Sequence, residues 1–523
     1  MSSMKVLLIN PCRSYPPRSR KPTLGLPLGL LSIAAVIERE GFEVSVFDTL
    51  VTKRSRFLTI DGVLRHGVDD KEFANTLLKE APDIVGIGTL FTSQIGGLVD
   101  AVRITRRCLP SSVIVVGGPH FSIEADSFLS THPEIDYIVS GEGEQPMLEL
   151  AKALSVGKTT DNIMGLTYRN QGENKTEKIS TNPTQAIEEL DSLPIPAYDK
   201  IDMNLFFELQ NKGLRTRPYR NNRAVSIITS RGCPYDCIFC SVHLHMGKPI
   251  RTHSVEYVIN HIDHLVSEYK VGHLEFEDDN LTFYKRRTET LFRALANRSY
   301  KISWNTPNGV RFDTLNRTLL EAMKDSGCNG LVVAPESGDQ ETITKIVKKA
   351  IRLDKMIPVS RWCQELSIPL SSFYLIGFPG ETKEKIRNTL EFALRMYKDY
   401  DVIPMLSFAM PLLGTELHDI VSDQGLATKQ LTPRNLASAR NVGLIQTKEF
   451  TPAELQQFRR EFLVKVYRVN FRKNIRRLAS VTFVVRFITK HGIIGTVKII
   501  LSRAKKILAS TKSPDYGKEM EIG

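Results

Sequence analysis

Three cysteines stand within eight residues, in the run Ser230-Arg-Gly-Cys233-Pro-Tyr-Asp-Cys237-Ile-Phe-Cys240. Three thiolates on one loop can ligate three irons of a 4Fe–4S cube. Such clusters usually take four protein thiolates, so a three-cysteine loop leaves one iron open to an exchangeable ligand. The competing chemistry is a zinc site completed by His243 or His245, since three cysteines and a histidine make a legitimate zinc set. Structural zinc motifs more often use Cys-x-x-Cys pairs, which favours the cluster. His243 and His245 stay open between lining a cavity and packing. Cys12, Cys108, Cys328 and Cys363 are scattered, and seven cysteines in 523 residues do not make a disulfide scaffold.

The elements around this loop place it at a strand end. Val225–Thr229, His273–Glu277, Ile302–Trp304, Gly330–Val333, Ser371–Ile376 and Met405–Phe408 read as strands. Val255–Tyr269, Lys285–Ala296, Thr314–Ser326, Leu353–Leu366 and Glu384–Tyr397 read as the helices between them. Six such units predict a (β/α)6-type partial TIM barrel, whose active site lies at the C-terminal ends of its strands. Three more segments fall at those ends. Glu275-Phe-Glu277-Asp-Asp279-Asn280 ends the second strand, Pro335-Glu336-Ser337-Gly338 follows the fourth, and Gly377-Phe-Pro379-Gly380-Glu381 follows the fifth. Singly these are a solvated strand end and two ordinary turns. Their succession behind the cysteines makes them a set.

The first 155 or so residues alternate differently. Lys5–Ile9, Glu43–Phe47, Ile84–Gly88, Val113–Val116 and Tyr137–Val139 are short apolar runs separated by amphipathic stretches. Unbroken apolar strands predict a doubly wound, Rossmann-like parallel sheet covered on both faces, binding ligands beyond its strand ends. Gly117-Gly118-Pro119-His120 follows the fourth strand and Gly141-Glu142-Gly143-Glu144 the fifth. Glycines there permit close approach of backbone to a bulky ligand. No G-x-G-x-x-G follows the first strand, which argues against a dinucleotide site. Residues 156–222, with Pro183, Pro194, Pro196 and Pro218, read as a linker carrying a small hairpin. The expected division is therefore 1–155, 156–222, 223–440 and a basic helical extension over 441–523.

Cys-x-x-x-Cys-x-x-Cys with Phe239 before the last cysteine resembles the signature of the radical S-adenosylmethionine superfamily, over about Ala224 to Phe408. The resemblance implies that the methionine amino and carboxylate groups chelate the open iron, and that electron transfer then yields a 5′-deoxyadenosyl radical. It implies Glu277, Asp279 and Asn280 near the methionine end, Glu336 and Ser337 at the ribose, and Gly377 and Gly380 against the adenine. Residues 4–155 resemble the cobalamin-binding domains fused to such enzymes. The nucleotide tail would then lie near Gly117, Gly118, His120, Gly141, Glu142 and Gly143. The loop after strand one reads Asn10-Pro-Cys12-Arg-Ser-Tyr and lacks the Asp-x-His-x-x-Gly that supplies a lower histidine elsewhere. Thr89, Thr92 and Ser93 are expected near that face of cobalt instead.

Together the two resemblances imply a class B-like, cobalamin-dependent radical methyltransferase. Its substrate would be an unactivated carbon or phosphorus of a small-molecule or lipid-linked intermediate, with flavodoxin or ferredoxin as electron donor. A radical cyclase or rearrangement without methyl transfer is the alternative. Methylthiotransferases need an extra N-terminal cysteine set, and only Cys12 and Cys108 precede the motif.

Composition narrows the setting. Hydrophobic content of 41% and charged content of 24% are ordinary for a core-forming chain. No signal peptide and no run of 18 apolar residues is visible, so a reducing cytoplasm is expected. The net charge is +12, and residues 441–523 hold 17 Lys and Arg against 6 Asp and Glu. An excess confined to the tail argues against a nucleic-acid-binding face on the body. Basic and apolar residues alternate from Phe458 to Leu508, which fits either helices packed on the barrel or helices lying on an anionic membrane surface.

Overall fold

The computed structural model describes residues 4–15, 23–60, 63–171, 177–214 and 223–478. In the N-terminal domain five parallel strands pair in the order Glu43–Asp48, Lys5–Asn10, Ile84–Gly88, Val113–Gly117, Tyr137–Val139. Numbered along the chain this is 2-1-3-4-5, with its switch point between Lys5–Asn10 and Ile84–Gly88. The first strand shows why both faces must be covered. Leu7 and Ile9 join a cluster with Phe73, Leu98 and Phe121, from three helices on one face. Val6 and Leu8 point the other way, to Ala34, Ile37 and Leu150 from helices Leu28–Arg39 and Glu144–Ser155.

The described residues of 156–214 are shared out between the neighbouring units. The hairpin Leu166–Gln171 and Glu177–Thr181 extends the N-terminal sheet antiparallel to Tyr137–Val139. Helix Met203–Asn211 buries Phe206 and Phe207 in the cluster that also fills the barrel. A small antiparallel sheet of Arg13–Tyr15, Arg56–Ile60 and Val63–Gly67 was not legible in the sequence.

The second domain is an open barrel of six parallel strands in sequential order. They are Ala224–Ile227, His273–Phe276, Ser303–Asn305, Cys328–Glu336, Leu370–Ile376 and Ile403–Phe408. Helix Pro452–Leu478 packs on helix Lys383–Tyr400, and its Phe462 and Val466 enter the barrel core. This stretch of the basic extension is thus held by packing. The apolar, basic stretch Val481–Leu501 lies outside the described residues. Among those described, no helix is long and apolar enough to cross a membrane.

Candidate functional site

The cysteine loop leaves the first barrel strand under tight control. Ser230 and Arg231 pair antiparallel with Thr252 and Arg251. Gly232 follows at φ +92°, where a Cβ would stand 2.2 Å from the Pro249 carbonyl oxygen, so no side chain fits. Ile238 N donates to Val347 O at 3.2 Å, and Ile238 O accepts from Leu417 N at 2.8 Å. The loop's middle is therefore strapped to the fourth-strand loop on one side and to helix Glu416–Asp423 on the other. Its base is fixed by Asp278, whose buried carboxylate accepts from Thr229 N, Thr229 Oγ1 and Ser230 Oγ. Sequence reading passed over Asp278 in favour of its neighbours. The carboxylate supports the cysteine loop from outside, and where such a loop binds metal, loss of an outer partner typically weakens binding roughly 10–100-fold. Asp278→Ala is expected to lower cluster retention by that order, measured as iron per chain after an anaerobic chelator challenge. Asp278→Asn keeps an acceptor and should lose less.

All three thiols are free and partly exposed. Burial raises Cys233, pushes Cys237 up to about 11 and pushes Cys240 up to about 12. Thiols held protonated are poor nucleophiles but ordinary metal ligands, since a bound cation takes up the charge. No group of three His, Cys, Asp or Glu among the described residues converges as a single metal ion requires. A cube spreads its sulfur ligands over three irons and needs no such convergence. His245 Nδ1 lies 3.1 Å from the Ser241 carbonyl oxygen, within the short helix Val242–Met246. His243 Nδ1 is buried without a partner.

The other strand ends frame the same space. Glu277 accepts from Ser226 Oγ at 3.1 Å, and burial followed by Glu275 pushes it up to about 7. Asp279 is exposed at the strand end but ringed by protein; that crowding, with Asp278 beside it, raises it to about 7. Asn280 is buried with both side-chain polar atoms unpartnered. Glu336 sits at φ +65° and accepts from Lys349 Nζ at 2.8 Å. Ser337 is fully buried, sharing a 2.7 Å hydrogen bond with Thr389 Oγ1, so it braces the turn from within. Phe239 lies 6.0 Å from the buried Phe378 ring.

Gly377 and Gly380 both take positive φ, and the turn between them is tied by Glu381, which accepts from Gly377 N at 2.7 Å and Phe378 N at 2.8 Å. Full burial pushes Glu381 up to about 7 against an ordinary 4.5. An acid raised on folding binds more protons folded than unfolded between those values, so its contribution to stability falls as pH rises from 4.5 to 7. Glu381→Gln cannot ionise. The thermal midpoint of the parent is expected to drop more than that of Glu381→Gln between pH 5 and pH 8, read by differential scanning fluorimetry.

At the switch point of the N-terminal sheet, Thr89 N donates to Gly117 O at 3.3 Å, and Thr89 Oγ1 is buried without a partner. Leu90 and Phe91 follow, 60% and 55% exposed, an apolar lip on a strand end otherwise lined with small residues. Thr92 is half-buried and Ser93 exposed on the turn Thr92–Gln94. Gly118 takes φ +122° with a virtual Cβ 2.1 Å from Thr89 O. His120 is buried edge-on to Phe121 and Phe128, and burial lowers its pKa. Gly141 N donates to Ser122 Oγ at 3.0 Å, and a Cβ on Gly143 would meet Ile33 at 2.8 Å. The Glu142 side chain is only 3% exposed and pairs with Arg231 and Arg251, across the domain boundary. The strand ends of the two domains are thereby joined.

The pattern of the Radical SAM superfamily matches residues 227–393, and that of the B12 binding domain matches residues 22–151. An uncharacterized methyltransferase of Pyrococcus horikoshii is 30% identical over 468 residues, 89% of this chain and 93% of its own. The chain belongs to the cobalamin-binding radical S-adenosylmethionine enzymes. The cytidylyl-2-hydroxyethylphosphonate methyltransferase of Streptomyces wedmorensis is 28% identical, covering 79% of this chain and 80% of its own. Among solved structures, the radical S-adenosylmethionine methyltransferase TsrM from Kitasatospora setae, with cobalamin and a [4Fe-4S] cluster bound, shares the fold at TM-score 0.61. It is 20% identical over 82% of this chain and 79% of its own.

The cofactors of this radical enzyme are a 4Fe–4S cluster, S-adenosylmethionine and cobalamin, and its residues fit them. Three unmodified thiols on one braced loop fit the cluster. Asn280, with two buried and unpartnered polar atoms, fits a polar ligand at the second strand end. Small residues, an unpartnered Thr89 hydroxyl and the Leu90–Phe91 lip fit a large, partly apolar ring over the switch point. Beyond the motif residues, Asp278, Lys349 and Glu381 hold the loops in place. The acidic run and the Glu after Pro379-Gly380 could have flagged two of them; nothing in the sequence ties Lys349 to Glu336.

Proposed function

We propose that this enzyme transfers a methyl group to an unactivated carbon or phosphorus of a biosynthetic intermediate. Bound cluster and S-adenosylmethionine would supply a 5′-deoxyadenosyl radical, and cobalamin the methyl group. Cys233, Cys237 and Cys240 hold the cluster, leaving one iron for the methionine end, which Glu277, Asp279 and Asn280 receive. Glu336 offers the ribose a carboxylate fixed by Lys349, while Gly377 and Gly380 keep the backbone flat against the adenine. Ser337 supports that turn from behind. Thr89, Thr92 and Ser93 face the corrin, and Gly117, Gly118, His120, Gly141 and Gly143 line its tail.

One observation carries the reading: the strand ends of both domains meet, bridged by Glu142 with Arg231 and Arg251. A substrate between them is shielded from water and lies within reach of both cofactors. The relatives support methyl transfer over cyclisation, since two that cover most of this chain are named methyltransferases. Helix Pro452–Leu478 is taken up by packing on the barrel, and only the basic, apolar sequence of Val481–Leu501 leaves room for a lipid-linked substrate at an anionic surface. The test is anaerobic incubation of reconstituted enzyme, reductant and methyl-labelled S-adenosylmethionine with extracts of the source cells. Label entering one metabolite, heavier by one carbon, supports the reading. 5′-Deoxyadenosine formed with an unlabelled product would replace it with a radical reaction that moves no methyl.

A further inference from the structure

A knot of four charged side chains lies between the two sites. Glu142 meets Arg231 Nη1 at 3.3 Å and Arg251 Nη2, and accepts from Ile187 N at 3.0 Å. Glu144 accepts from Arg231 Nη2 at 2.6 Å and from Ser32 Oγ at 2.8 Å. The side chains of Glu142, Glu144, Arg251 and Arg231 are 3, 5, 9 and 14% exposed. Burial alone would raise the Glu144 carboxyl, but the Arg231 guanidinium and the Ser32 hydroxyl hold it below its ordinary value, so the pair is charged.

Buried ion pairs are weak sources of net stability, because desolvation offsets their attraction. Charge-assisted bonds to an arginine fork do fix relative geometry sharply. The geometry fixed here is specific. Arg231 and Arg251 face each other across the two-stranded ladder, and Arg231 is two residues before Cys233. Glu142 stands between the glycines of the loop after the fifth N-terminal strand, and Glu144 opens helix Glu144–Ser155. The knot therefore connects the start of the cysteine loop to the loop over which the cobalamin tail is placed.

We propose that Glu142, Glu144, Arg231 and Arg251 are positioning residues that couple the cobalamin site to the cluster site. This rests on the functional reading above. A tail seated on Gly141–Gly143 fixes the two carboxylates, the carboxylates fix the arginine ladder, and the ladder sets the entry to Cys233. Such coupling is reciprocal, so an ordered cluster loop tightens cobalamin binding by the same factor. Glu142 thus serves cobalamin through the arginines and not by touching it.

The test is an anaerobic absorbance titration of the full chain with hydroxocobalamin, with and without its reconstituted cluster. The parent is expected to bind about 5-fold or more tightly with the cluster, the lower range of such couplings. Glu142→Gln should bring that ratio close to one. Arg251→Lys keeps the charge but loses the fork, and should give an intermediate ratio; it decides the matter if Glu142→Gln does not fold. A merely structural role would weaken both affinities alike and leave the ratio unchanged. Equal affinities in the parent, or a full parental ratio in the variants, overturn the coupling alone. A parent that binds no cobalamin overturns both the coupling and the functional reading.

Discussion

Cys237→Ala is expected to bring 5′-deoxyadenosine production to background and to strip the chain of its 4Fe–4S signature. On the proposed assignment the loop offers three thiolates to three of four irons, so each cysteine removed leaves a second iron with no protein ligand. The loss should exceed the roughly 10–100-fold typical of an outer-shell partner. Cys233→Ala and Cys240→Ala should behave alike, because Gly232 and the Ile238 straps fix the loop independently of any one sulfur. Cys108→Ser serves as the control: its thiol lies at the end of helix Ile95–Cys108, remote in sequence from the motif. The measurements are iron and sulfide content after anaerobic reconstitution, the electron paramagnetic resonance signal of the reduced cluster, and 5′-deoxyadenosine. A full cluster signal in Cys237→Ala would remove the assignment of that residue.

Most of the fold was legible because period and chemistry agreed. Most of the five parallel N-terminal strands and six barrel strands are apolar-rich runs whose neighbours carry helical spacing, and each appears within a few residues of its expected place. The small sheet of Arg13–Tyr15, Arg56–Ile60 and Val63–Gly67 was not legible, since such short strands, with apolar and polar residues in no regular alternation, carry little periodic signal. In the site, the sequence exposed residues that could touch ligands but not those that hold them. Glu142 reads as a glycine-flanked acid beside a ligand, yet its carboxylate is engaged by two arginines that lie 89 and 109 positions later. Ser337 reads as lining and is fully buried against Thr389. Long-range partners of this kind have no local pattern, so only tertiary structure can assign them.

The opposite case is Gly118, whose type is dictated twice over. Its φ of +122° is costly for any side chain, roughly 1–2 kcal/mol for an L-residue forced into left-handed backbone. In addition, a Cβ would lie 2.1 Å from Thr89 O and 3.2 Å from Thr89 C, so the backbone of the third-strand loop must move. That loop carries Thr89 to Ser93, the residues proposed to face the corrin. Gly118→Ala is therefore expected to weaken cobalamin binding by at least about 10-fold, the equivalent of roughly 1.4 kcal/mol, while cluster content stays near parental. Gly117→Ala separates the possible causes. A Cβ there meets its nearest protein atom, Val139 O, at an ordinary 3.5 Å, and its φ is not positive. Cobalamin affinity lost in Gly117→Ala would come from the ligand's own approach to that backbone, whereas a loss confined to Gly118→Ala would come from displacement of Thr89.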